Sequence, residues 1–245
     1  MSQTQGNSIP DLPAYLQAEY QALVRALKRR RGFGLLFVRC SPAEGEGLIA
    51  KVREDIPQKR IDVLRLEKAI DNLYEIIESL PNKDELDILF ITGIEKSLVD
   101  YIKPGIGGQG HYYKGDTVPR ILGHLNLQRE CFRDNFKICF VFLLPQFALK
   151  YFIRRAPDFF DWRSGVWEFP TSPRLVEEES SRIVLEGDFK EYLKLSPQER
   201  NQKIFDIQEL LAEEYQTAER KAELLLEQGK ILIAGNDWEE AIASY

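Results

Sequence analysis

The segment with the clearest potential for chemistry runs from residue 34 to residue 49. An apolar stretch, Gly34-Leu35-Leu36-Phe37-Val38-Arg39-Cys40, feeds Ser41-Pro42-Ala43-Glu44-Gly45-Glu46-Gly47, and Leu48 and Ile49 follow. A strand turning through glycines into a helix is the setting of G-x-x-x-x-G-K-[ST], where backbone amides cradle a phosphate, the lysine neutralises it and the hydroxyl holds magnesium. With Gly47 as the last glycine, Leu48 takes the lysine position and Ile49 the hydroxyl position. With Gly45 instead, Glu46 takes the lysine position and repels a phosphate. Backbone N–H groups at the start of the following helix then remain as a weak anion site.

This turn has to be positioned by an alternation of strands and helices. Leu16, Tyr20, Leu23 and Leu27 line one face of an opening helix that stops at Gly32. Strands are expected at 34–40, 61–66, 86–92 and 138–144, with a fifth at 165–169. The first, third and fourth are near-continuous apolar runs of the kind buried on both faces of a parallel sheet. Helices are expected at about 47–55, 69–80, 117–135 and 146–155. Lys103-Pro104-Gly105-Ile106-Gly107-Gly108-Gln109-Gly110 reads as a mobile loop. Such alternation predicts a parallel sheet with helices on both faces.

Composition narrows the function classes. The 245 residues are 44% hydrophobic, enough for one substantial core and an appendage, and the formal net charge of -6 argues against a general nucleic-acid binder. The basic run Lys28-Arg29-Arg30-Arg31 suits a helix C-terminus. Cys40, Cys131 and Cys139 are widely spaced among apolar residues, as reduced cytoplasmic thiols are, and two histidines without paired cysteines make a zinc site improbable. No run approaches the length of a membrane span, and residues 1–11, polar in composition, are expected to form a disordered tail.

The element order, the turn after the first strand, the third strand with Thr92-Gly93, the helix carrying Leu125-Asn126-Leu127-Gln128-Arg129-Glu130, and the block Ala156 to Phe169 together resemble the ATPase-like domain of bacterial STAND/AAA+-type proteins that carry tetratricopeptide repeats. The resemblance covers 12–170. It implies a three-layer, P-loop NTPase-like fold with five parallel strands in the order 5-1-4-3-2. In active relatives it implies a nucleotide at the ends of strands one and three. Carried onto this chain, the metal-orienting acid at the end of strand three is Thr92, with Glu95 as a nearby substitute, and the degenerate nucleotide site comprises Ser41, Gly45, Gly47, Thr92 and Glu95. Arg129 and Arg133 fall where related switches place sensor arginines; salt bridges with Glu130 or Asp134 are the plainer reading. Phosphoryl transfer rests on positioning and neutralising phosphates, so little or no hydrolysis follows, no catalytic residue is assigned, and the cofactor expectation is none beyond weak ATP with magnesium.

Two further segments carry expectations. His111, Tyr112 and Tyr113 in the Gly-rich loop offer a contact surface. In 218–245, Gly229, Leu232, Asn236, Trp238, Ala241 and Tyr245 are similar to an incomplete tetratricopeptide repeat, and 171–217 reads as a helical connecting arm. One repeat cannot bury its apolar face, so the chain is expected to be part of a longer protein, with a peptide-binding array whose partner contacts begin at Trp238 and Tyr245. The leading expectation is a non-catalytic regulatory or scaffold module that recruits proteins or peptides in a signalling or defence assembly, with oligomerisation open and no bound metal. A weak ATP switch is the second. A metal nuclease built on Asp158 and Glu168 is remote, because no lysine follows Glu168.

Overall fold

Alternating side chains along each strand divide the core into two layers, and this sets the architecture. The computed structural model describes residues 14–104, 111–113, 118–213, 215–237 and 241–242. Five parallel strands, β1 (Gly34–Arg39), β2 (Ile61–Arg65), β3 (Ile88–Thr92), β4 (Cys139–Leu144) and β5 (Arg163–Glu168), pair in the order β2-β3-β4-β1-β5. This is the expected order 5-1-4-3-2 read from the other edge. Leu35, Phe37, Leu89, Ile91, Phe140 and Phe142 face one layer. Leu36, Val38, Ile88, Phe90, Val141 and Leu143 face the other. Successive residues thus serve opposite faces, as a strand dictates.

The second of these layers is closed by α1 (Ala14–Arg29) and α2 (Pro42–Asp55), the first by α3 (Leu73–Glu78), α4 (Arg120–Asn135), α5 (Gln146–Arg155) and α6 (Pro157–Asp161). On α1, Leu16, Tyr20, Leu23 and Leu27 are buried as their spacing required, and the Tyr20 hydroxyl donates to Asp55 at 2.6 Å. Lys28 and Arg29 occupy its last turn. The aromatic centre of the first layer is Phe142, stacked on Phe37 at 5.1 Å between ring centroids and flanked by Phe152 and Phe159.

The largest departure from the expected elements is at α2, which begins at Pro42 and not near Gly47. Ser41 caps it: its Oγ accepts from the Glu44 N–H at 3.3 Å, and Pro42 supplies a preset φ at the first helical position. Gly45 is buried within the helix, where a Cβ would lie 3.2 Å from Leu143 Cδ1, so this glycine brings α2 close to β4. The helix expected at 69–80 shortens to α3 because Asn72 caps it at its start. The flanks of the supposed loop, 102–104 and 111–113, pair as a two-stranded antiparallel ribbon, and 105–110 lie outside the described residues.

Beyond the sheet come α7 (Pro173–Glu186), α8 (Phe189–Lys194), α9 (Pro197–Ala212) and α10 (Ala218–Ala234). Ser196 and Glu199 form a reciprocal capping box at the start of α9. Tyr192, Ile204, Ile207, Leu224, Ile231 and Leu232 make one apolar cluster, so the arm and α10 share a core across residue 217. A buried polar knot fastens it: Glu227 accepts from the Tyr192 hydroxyl at 3.0 Å and from Lys230 at 2.5 Å. After α10 the chain turns at Gly235 and Asn236, and helical backbone is described again at 241–242.

Candidate functional site

The site is best built from the carboxyl ends of the strands, where a parallel sheet leaves its ligand crevice. Only Cys40 and Ser41 separate β1 from α2. Of the amides that would cradle a phosphate, Pro42 has none, that of Glu44 is taken by Ser41 Oγ, and that of Gly45 bonds Ser41 O at 3.0 Å, which leaves that of Ala43. Gly47 lies inside α2. The Glu44 carboxylate sits at this helix start, accepting from Ser41 Oγ at 3.2 Å and from the Ser172 N–H at 2.7 Å. Burial raises its pKa, and the bonds from Ser172 and Ser41 oppose the shift. The residues present do not fit a triphosphate with magnesium.

At the end of β3, the Thr92 carbonyl accepts from the Leu66 N–H at 2.9 Å, and Gly93 turns the chain with φ +82°. A Cβ there would meet Leu66 O at 2.1 Å, so the neighbouring backbone demands glycine. The turn delivers Glu95, which is 8% exposed and whose Oε2 has no hydrogen-bond partner among the described residues. Burial pushes its carboxyl up; the Asp206 charge adds to this and Lys96 opposes it.

Two adjoining cavities occupy the crevice. One, of about 380 Å³, is lined by Ser41, Gly45, Thr92 and Glu95 together with Arg65 and Lys96. The other, of about 280 Å³, lies between the sheet and the arm and is lined by Arg39, Glu95, Glu179, Arg182, Asp206, Glu209 and Glu213. Four of the five degenerate-site residues thus meet at one cavity, and Gly47 does not. Arg65 is held by Glu46 through two bonds, at 3.0 and 2.6 Å.

The second cavity contains residues that sequence reasoning missed. Glu209, from α9, accepts from the N–H groups of Gln146 and Phe147 at 3.0 and 2.9 Å, placing a carboxylate on the N-terminus of α5 at the end of β4. Burial nevertheless raises the Glu209 pKa. Arg39 lies 3.5 Å from both Glu168 and Glu213, and Glu213 accepts from Thr171 Oγ1 at 3.0 Å. Arg39 announced itself as the one charge ending an apolar strand. The glutamates carried no local signal. The Cys40 thiol, pushed up to about 12 by burial, is an unreactive wall of the crevice.

Arg129 and Arg133, expected as sensor arginines, lie away from this crevice. Both lie over the Trp162 ring, at 5.9 and 5.2 Å, and Trp162 immediately precedes β5 at the opposite, amino end of the sheet. Arg133 pairs with Asp134 at 2.6 Å, and Arg129 bonds the Asn126 carbonyl and lies 3.9 Å from Asp158. Among the described residues no group of three or more His, Cys, Asp or Glu side chains could hold a metal ion. No described helix is long and apolar enough to cross a membrane. Tyr112 and Tyr113 belong to the ribbon, and Trp238 and Tyr245 lie outside the described residues.

A stability measurement checks the burial of Glu95. Its raised folded-state pKa means the native state binds more protons than the unfolded chain, so its contribution is fully present below the ordinary carboxyl range and is lost as pH rises through the raised value. Glu95→Gln should therefore gain stability relative to the parent as pH rises through that window. Urea titrations across pH read the difference; parallel curves would mean that Glu95 is not held in its neutral form.

No family model matches the chain, and no curated protein matches it. Solved structures match the chain at low identity. The ADP form of the Aeropyrum pernix ORC2 protein is 13% identical with a TM-score of 0.40, over 97% of this chain and 70% of that one. ADPNP-ADP complexes of the same protein give 13%, 0.42, 97% and 69%. A DNA polymerase III gamma subunit-related protein from Thermotoga maritima is 10% identical with a TM-score of 0.40, over 89% of this chain and 85% of that one.

Proposed function

We propose that this chain is a non-catalytic, P-loop-like module in which a former nucleotide crevice serves as structure, and that it works by binding and relay. The observation that carries this reading is the two-residue connection between β1 and α2, whose helix start is capped by Ser41 and Pro42. It leaves neither the loop nor the full set of amides that a triphosphate requires. The helical part from α7 onward is proposed to recruit proteins or peptides, with α10 opening a tetratricopeptide-like array in a signalling or defence assembly. A second reading, a weak ATP switch, draws on the 380 Å³ cavity beside Arg65 and Lys96.

Thermal unfolding with ATP and magnesium separates the two. A ligand that binds the folded state at a hundredfold over its Kd adds about 2.7 kcal/mol. No shift at millimolar nucleotide is expected, and a saturable rise would overturn the non-catalytic reading. The double substitution Leu48→Lys with Ile49→Thr, which restores the motif on paper, is expected to leave ATP binding absent because both positions are helical. It should also lower stability, because Ile49 is buried against the sheet and a hydroxyl there lacks its partners.

A further inference from the structure

The 280 Å³ cavity between sheet and arm combines apolar walls with an excess of carboxyl groups. Phe147, Phe169, Leu175, Ile183 and Leu210 supply the walls. Most of its charges are already matched. Arg39 is shared by Glu168 and Glu213, Arg182 is paired with Glu179 and lies 3.5 Å from Glu186, and Glu209 is held by the two α5 amides. Lys96, beside Glu95, turns to the Glu67 carbonyl at 3.2 Å.

Two carboxyls from different parts of the chain remain. Glu95, from the turn after β3, has a buried Oε2 without a partner among the described residues. Asp206, from α9, accepts from Gln202 at 2.9 Å and forms part of the walls of this cavity and of a smaller one of about 90 Å³ beside it. A buried carboxylate oxygen with no donor is costly unless it is neutral or a donor is brought to it. Among the described residues, the cations on the walls, Arg39 and Arg182, are engaged.

We infer that this cavity is a binding site for a compact aliphatic cation, an alkylammonium or alkylguanidinium group, whose charged head lies between Glu95 and Asp206 and whose stem lies along Phe147, Phe169 and Leu210. The apolar lining suits a methylene stem, and a head with several N–H groups supplies the donor that Glu95 Oε2 lacks. The same chemistry occurs in a free diamine and in a lysine or arginine side chain of a partner. Binding bridges the sheet and the arm, so the ligand fixes the position of α9. The inference is independent of whether the neighbouring cavity takes ATP.

The pH dependence has a definite sign. Desolvation raises both carboxyl pKa values, although Asp206 is more exposed than Glu95; at Glu95 the Asp206 charge adds to the rise while the Glu95 and Gly93 N–H groups and Lys96 oppose it, and at Asp206 Gln202, Lys203 and Arg182 oppose it and Glu179 reinforces it. A cation favours the ionised forms, so its binding releases protons, and affinity rises as pH passes upward through the raised carboxyl range.

Calorimetry and thermal unfolding of the full chain with cadaverine and agmatine test this, at ionic strength held constant with sodium chloride and with pentanol as the neutral control. Saturable binding with proton release, measured in two buffers of different ionisation enthalpy, is expected. Glu95→Gln and Asp206→Asn should each weaken it about ten- to a hundredfold, the range for one charge-assisted hydrogen bond. A blocked lysine peptide that binds more tightly than cadaverine assigns the cation to a partner side chain; the reverse assigns it to a free amine. Absence of binding, binding equal to pentanol, or binding unchanged in both variants would overturn the inference. Should either variant fail to fold, binding to the parent without proton release overturns it equally.

Discussion

Phe142→Ala should lose about 3–5 kcal/mol of stability, the range for emptying a fully buried aromatic site. Phe142 is 0% exposed in the middle of β4 and touches aromatic rings from β1, α5 and α6, so one truncation removes contacts across four elements. The surrounding rings cannot collapse into the gap, because Phe37 and Phe159 are themselves held on the sheet and on α6. Against a typical domain stability of about 5–15 kcal/mol, this loss is a large fraction of the whole. Urea denaturation checks it: the midpoint should fall with an unchanged slope, whereas a loss under about 1 kcal/mol would show that the aromatic centre is not close-packed.

Gly93→Ala should follow with a loss of about 1–3 kcal/mol from backbone strain alone, and more from the collision of the new Cβ with Leu66 O. A comparison separates the two causes. Gly32 also has a positive φ, +72°, but a Cβ there meets nothing within 4 Å. Gly32→Ala should therefore show the conformational cost of about 1 kcal/mol and little else. Equal losses at both positions would mean that the packing of β2 against the turn after β3 is loose. The Gly93 variant should also disturb the crevice, since this turn delivers Glu95.

The sheet was readable because its strands are buried on both faces, and runs such as Cys139-Phe140-Val141-Phe142-Leu143-Leu144 leave few alternatives between Pro145 and the polar end of α4. The start of α2 was readable too, but glycines masked it. Ser41-Pro42-Ala43-Glu44 has the same form as Ser196-Pro197-Gln198-Glu199, the start of α9, and both serines cap their helices. At 196 no glycine competed with the capping pattern. At 41, Gly45 and Gly47 suggested a loop, although Gly45 is small because Leu143 presses against the helix. The position of Arg129 and Arg133 was not legible for a geometric reason: one helix carries its residues from one end of the sheet to the other, and these two fall toward the amino end, beside Trp162. The carboxylates of Glu209 and Glu213 come from sixty and forty residues away from the groups they meet, roughly speaking, and only the packing of α9 brings them there.

Glu209 on the N-terminus of α5 gives the crevice an internal competitor. A carboxylate tethered to the same chain is present at an effective concentration of about millimolar or higher, without diffusing away. Any outside anion that takes the amides of Gln146 and Phe147 must displace it, and in doing so removes one polar tie between α9 and α5 while the Phe147–Phe205 stack at 4.5 Å stays. Occupancy of those two amides and docking of the arm are therefore coupled.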